Sequence, residues 1–212
     1  MDFKQYFERS WQVFTAFLAP ILINTLMVAG VSIITLGIMA PVVSAGYMQS
    51  LLLALRDNRK PEVRDLFAHM NLFFPLLGFG ILFLLAASVG FSLLVLPGIV
   101  VVLAAAFFLI YMLPLMTDQQ MGLFEAIKES ARMAMEDPVS EHLAVVAIYI
   151  ILGSIGNSTG IGALFTQPYS CLIILLAYEQ KRRRLLTGPA AENDQGRQPS
   201  QEQSDPSATP GS

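Results

Sequence analysis

Apolar residues gather along this chain in three long blocks separated by short charged runs. No Asp, Glu, Lys or Arg occurs between Ser10 and Leu55, between Leu66 and Thr117, or between His142 and Tyr178. Each block exceeds the roughly 18–20 residues needed to cross a bilayer, and none keeps the wet face that a soluble helix requires. Inside the blocks, Pro41 in "LGIMAPVVSAGY", Pro97-Gly98 in "LVLPGIVV" and the glycines around Gly156 in "GSIGNSTGIG" predict turns. The blocks, about Phe14 to Leu55, Leu72 to Met116 and Leu143 to Tyr178, therefore read as three hairpins of two helices. The expected fold class is an all-α membrane protein with six transmembrane helices.

A short amphipathic stretch precedes each hairpin. Phe3, Phe7, Phe14 and Phe17 share a stripe opposite Lys4, Glu8 and Gln12. Val63, Leu66, Phe67, Met70 and Phe74 lie opposite Glu62, Asp65 and His69. Phe124, Ile127, Ala131 and Met135 alternate with Glu125, Lys128, Glu129, Arg132 and Glu136. These are helical spacings, and they predict three interfacial helices. In the third, Thr117 and Gln120 supply a cap, Asp137-Pro138 a stop, and Arg132 a partner for Glu129 and Glu136. The chain reads as three copies of one unit, with Ser10 and Ser130 in register.

Charge placement sets the expected orientation. The N-terminus, Arg56–Asp65, the run from Asp118 to Asp137, and Glu179–Arg184 all carry charge, while the predicted turns carry none. Six spans put every charged segment on one side, which basic residues mark as cytoplasmic. Both termini are then expected inside. The first residues do not read as a secretory signal, because charge alternates there and the apolar block that follows is too long.

Composition agrees with this class and removes others. The chain is 54% apolar and 14% charged, outside the usual soluble range. Its net charge of −3 comes from an acidic surplus in the tail, so nucleic-acid binding is not expected. Residues 1–184 form the expected membrane domain. Residues 185–212, rich in Gln, Ser, Pro and Gly, read as a disordered cytoplasmic tail.

Candidate chemistry is sparse. His69 and His142 sit at block boundaries and read as polar interfacial residues, and Cys171 is too solitary for an intrachain disulfide. No catalytic, cofactor or metal site is expected. Asn24, Gln49, Thr166 and Gln167 read as hydrogen-bonding groups between helices, and Gln167-Pro168 as a kink in the last one. Asn157-Ser158-Thr159 fits the glycosylation pattern, but reads as a turn against the bilayer. Arg56, Arg59, Lys60, Arg64, Lys181, Arg182, Arg183 and Arg184 are the candidate lipid-headgroup contacts.

Two segments carry a family resemblance. "APVVSAGYMQSLLLALRDNRKPEVRDLFAHM" and "LLVLPGIVVVLAAAFFLIYMLPLMTDQQMGLFEAIKESARM" resemble the pattern of YciC-like bacterial integral membrane proteins. That group is related to the membrane domain of glycerophosphodiester phosphodiesterases. The matching positions are Pro41, Gly46, Pro61, Asp65, Leu66, Phe67, Pro97, Gly98, Pro114, Ala126, Ile127 and Ser130. The resemblance implies a bacterial cytoplasmic membrane, a six-span helical fold and no established activity. The phosphodiesterase domain has no counterpart here, so its chemistry is not carried over.

The function expected is that of a non-enzymatic membrane protein that organises lipids or supports envelope proteins. Its expected partners are membrane lipids, a membrane protein or a second copy. The alternative is a path for an apolar or amphiphilic solute, which predicts a cavity among the helices.

Overall fold

The computed structural model describes residues 3–93, 95–136, 139–159 and 162–186. The Asp137-Pro138 stop lies outside them, as does the expected tail beyond Leu186. All regular structure among the described residues is helical: α1 (Phe3–Ala16), α2 (Leu18–Ile34), α3 (Ala40–Asp57), α4 (Phe73–Leu93), α5 (Val95–Phe108), α6 (Met112–Asp118), α7 (Leu123–Met135), α8 (Val139–Thr159) and α9 (Ala163–Leu186). The second amphipathic stretch is not an α-helix. It folds as two 3-10 turns, Val63–Phe67 and Met70–Leu72.

Prolines mark where these helices begin. Pro20, Pro41, Pro75, Pro97 and Pro114 each fall at the second or third position of a helix, where the missing N–H would have no intrahelical partner. The turn expected at Pro41 therefore lies earlier, at Thr35–Met39. There Leu36 and Gly37 adopt φ of 51° and 83°, and Thr35 Oγ1 accepts from the Met39 amide at 3.2 Å. Pro97-Gly98 belongs to the first turns of α5. Gly156 and Asn157-Ser158-Thr159 are helical, because α8 runs to Thr159. Pro20 has a further effect: it offers no donor to the Ala16 carbonyl, and α1 and α2 meet at Phe17 with a bend of 87°.

Neighbouring helices pack in pairs, α2 on α3, α4 on α5 and α8 on α9. The amphipathic elements pack differently. α1 lies on α9, the Val63–Phe67 turn on α3, and α7 on α6. Each therefore rests on the helix that closes another apolar block.

Three stretches are long and apolar enough to cross a bilayer: Val63–Leu93, Val95–Asp118 and Val139–Gly156. A fourth counts if α1 and α2 form one bent span. The helices α3 and α9 are not among them, and burial explains why. On α3, Val43, Ala45, Leu51 and Leu52 are all inaccessible or nearly so, beside Gly46 and Ser50. On α9, Ser170, Cys171, Leu172, Leu175 and Tyr178 are buried. A helix enclosed by protein can carry small and polar residues whose partners are other helices. By contrast, Leu82, Leu84, Leu93, Val95 and Leu96 on α4 and α5 are strongly exposed, a surface that water would not tolerate at this extent.

Candidate functional site

The first charged residue after each apolar block is Arg56, Asp118 or Glu179, and the fold brings these three together. Arg56 grips Asp118 through two parallel hydrogen bonds, Nη1 to Oδ1 at 2.5 Å and Nη2 to Oδ2 at 2.9 Å. Its Nε donates to Glu179 Oε1 at 2.5 Å. The planar guanidinium suits this fork, which a lysine would not reproduce. The Tyr178 hydroxyl donates to Asp118 Oδ2 at 2.9 Å, and Gln119 Nε2 donates to that hydroxyl at 3.0 Å. Arg182 Nη1 reaches Asp118 Oδ2 at 3.3 Å. The ends of α3, α6 and α9 are thus joined by one ionic network.

Other contacts tie the remaining charged segments to the same end. Arg9 donates to the Leu55 carbonyl at 3.4 Å. Arg184 pairs with Glu141 at 3.0 Å. Lys181 is 2% exposed, and its ammonium donates to the carbonyls of Met133 and Glu136 at the C-terminus of α7. A cation there satisfies carbonyls that the helix leaves without partners. Burial pushes the Lys181 ammonium below its ordinary pKa.

The motif residues meet at two junctions. Asp65 accepts from Arg59 at 2.7 Å, from the buried Ser50 hydroxyl at 3.2 Å and from the Glu62 amide at 3.2 Å. It thereby folds the 3-10 turn and docks it on α3. Gly46 makes that docking possible: a Cβ there would lie 2.6 Å from the Asp65 carbonyl oxygen and closer still to that of Leu66. Leu66 is fully buried in the joint, Pro61 is buried beside it, and Phe67 is 38% exposed. At the second junction, Ser130 on α7 donates to the Phe108 carbonyl at 2.7 Å and accepts from the Tyr111 amide at 3.3 Å. It fills the gap where α5 gives way to α6, next to Ala126, which is fully buried. Pro114 is buried in α6. Gly98 lets Phe91 and Gly90 of α4 approach α5, with Gly98 Cα 3.0 Å from where a Cβ on Gly90 would stand.

A cavity of about 310 Å³ lies among α2, α3, α5, α8 and α9. Thr25, Tyr47, Ala105, Tyr149, Gln167 and Cys171 contribute to its walls. Thr25 Oγ1 donates to the Ile21 carbonyl at 2.8 Å, so the Tyr47 hydroxyl donates to Thr25 at 2.8 Å and remains an acceptor. Among the described residues, no Asp, Glu, Lys, Arg or His lines the space.

Several sequence expectations change with this geometry. Arg56 and Lys181 are held by protein groups. Arg59 pairs with Asp65, Arg64 with Glu62 at 2.5 Å, Arg182 with Asp118, and Arg183 with Glu179 at 4.0 Å. Lys60 is exposed and has no ion pair among the described residues. His142 is inaccessible rather than interfacial. Its Nε2 donates to the Phe107 carbonyl at 2.7 Å, so Nδ1 accepts from Tyr111 at 3.2 Å. Half-buried His69 leaves Nδ1 without a partner. Thr117 and Gln120 do not cap α7. Gly122 stands at its N-cap, and Gln120 instead donates to the Thr117 carbonyl. Arg132 pairs with Glu129 at 2.7 Å but not with Glu136, whose extended backbone has left the helix.

Comparison of the chain with family models, with curated proteins and with solved structures gives no match. The YciC-like resemblance therefore rests on the motif residues alone.

Proposed function

We propose that this chain is a non-enzymatic integral membrane protein whose three repeated units enclose a site for one apolar or amphiphilic molecule. The observation that carries this reading is the cavity, which draws walls from all three helix pairs and offers hydroxyl, amide and thiol groups without an ionised one. Its volume falls at the small end of ligand pockets, roughly 300–1,000 Å³. The walls suit an alkyl chain carrying a neutral polar group and supply no acid–base pair for catalysis.

In this reading all six long helices cross the bilayer, with α3 and α9 inside the ring and α4 and α5 facing lipid. The charged segments share one face, and the positive-inside rule makes that face and both termini cytoplasmic. The YciC-like resemblance supports a bacterial cytoplasmic membrane. Two experiments test these statements. Native mass spectrometry of the purified protein should find a bound lipid or apolar molecule that Ala105→Phe, which fills the cavity, displaces. Retention of the same molecule by that variant defeats the binding reading. With Cys171 replaced by Ala, a cysteine placed at position 58 or 183 should react only from the inner side, and outside labelling defeats the topology.

A second reading, passage of such a solute rather than its storage, draws on exposed Gln167 in the cavity wall. It predicts that reconstituted vesicles exchange a fluorescent amphiphile between leaflets faster than protein-free vesicles. Equal rates sink it.

A further inference from the structure

A second cavity, about 320 Å³, lies between the start of α2 and the loop that precedes Val63. Pro20 and Ile23 provide apolar walls, and Lys60, Glu62 and Asn24 provide polar ones. Three observations describe its electrostatics. First, Asn24 is 1% exposed, and its Nδ2 has no hydrogen-bond partner. Buried amide donors are normally satisfied, so this one is waiting for an acceptor. Second, Lys60 has no ion pair among the described residues, whereas its neighbours Arg59 and Arg64 are taken by Asp65 and Glu62. Glu62 is neutralised by Arg64 and also accepts from the backbone of the 3-10 turn. Third, Ala19 and Pro20 belong to the first turn of α2, the end of a helix that favours negative charge.

We propose that this pocket seats the phosphate of a membrane phospholipid. Lys60 forms the ion pair with it, and the Asn24 amide is the buried donor. The apolar continuation favours a lipid over a free anion. From the pocket, α2 presents Ile23, Leu26 and Met27 outward, a track along which an acyl chain lies and for which inorganic phosphate has no use. The inference rests on the membrane placement proposed above, with the charged segments at one bilayer face.

The test titrates full-length protein in micelles and reads bound lipid by native mass spectrometry. The probes are phosphatidylglycerol, diacylglycerol and inorganic phosphate. Phosphatidylglycerol should bind, diacylglycerol should not, and millimolar phosphate should leave the lipid in place. Lys60→Gln should weaken binding about tenfold, in line with one lost charge-assisted contact. Lys128→Gln removes another exposed ammonium that has no ion pair and should change nothing. Asn24→Leu, an apolar replacement of similar size, should also weaken binding. Undiminished binding in Lys60→Gln overturns the proposal. So does an equal loss in Lys128→Gln, which marks diffuse attraction, and so does displacement by phosphate, which marks a soluble anion. Ala105 is not part of this pocket, so Ala105→Phe should keep the phosphatidylglycerol. The two binding readings therefore fail separately.

Discussion

The pair α4 and α5 and the pair α3 and α9 all draw on the long uncharged blocks, yet they do opposite work. On α4 and α5, long side chains such as Leu84 and Leu96 stand 66% and 72% exposed. On α3 and α9, leucines at 51, 52, 172 and 175 are fully enclosed, and glycine, serine and tyrosine sit among them. The outer pair carries its apolar residues on an exposed surface, within stretches long and apolar enough to cross a membrane. The inner pair can be less apolar because its surroundings are other residues of the chain. Hydropathy therefore detects the helices with exposed apolar faces and passes over those around which the molecule is built.

Substitutions should separate the two pairs, and the largest effect belongs to the network that ends the inner helices. Arg56→Ala leaves Asp118 and Glu179 with only the longer contacts to Arg182 and Arg183. It should lower stability by about 3 kcal/mol, the order expected when one partner of a desolvated pair is removed, and thermal unfolding in detergent reads this loss. Leu51→Ala should cost about 2–3 kcal/mol through the cavity it opens. Leu84→Ala on the outer face should stay within about 0.5 kcal/mol. Equal losses for the two leucines would erase the inner–outer distinction. Gly46→Ala drives a methyl group into the Asp65 and Leu66 carbonyls and should cost about 2 kcal/mol. Gly30→Ala, with nothing within 4 Å of the added carbon, should be neutral or mildly stabilising by the same assay. Among the losses tied to one joint the mildest is that of Ser130→Ala, about 1 kcal/mol for its hydrogen bonds to the α5–α6 link. Hydrogen exchange should rise first at Leu109–Met112, and unchanged exchange there would remove Ser130 from its proposed role.

Much of this architecture is legible in the residue pattern, and particular residues show where legibility stops. The long uncharged runs mark the helices, and all the charged segments described here meet at one end. Proline was the ambiguous sign. Pro41 and Pro97 read as turn residues, but a proline fits equally well in the first turn of the next helix, and that is where both lie. The second amphipathic stretch has the same helical spacing as the third, yet it does not fold as an α-helix. Asp65 instead draws Arg59, Ser50 and the Glu62 amide around a tighter 3-10 turn. The Arg56–Asp118–Glu179 network had a signal, since each residue is the first charge after an apolar block. Read singly, Arg56 is one of many basic residues beside a membrane. Its meaning appears only when the three block ends are compared and their signs found to be opposite. The buried Lys181 carries no such mark. It stands in a basic run, and only the place where α7 ends selects it from its neighbours. Nor does the cavity announce itself, because Thr25, Tyr47 and Gln167 lie far apart along the chain.

The seat of α1 on α9 has a consequence for how the molecule is made. Helix α1 rests on α9, which is made much later, so this joint forms only after α9 has emerged. The other two amphipathic elements dock on helices already present. Because each such element rests on the close of another unit, the arrangement has no obligatory beginning. A gene rearranged to start at the second unit, with the old ends joined by a flexible linker, should produce the same ring of contacts and change only which joint forms last.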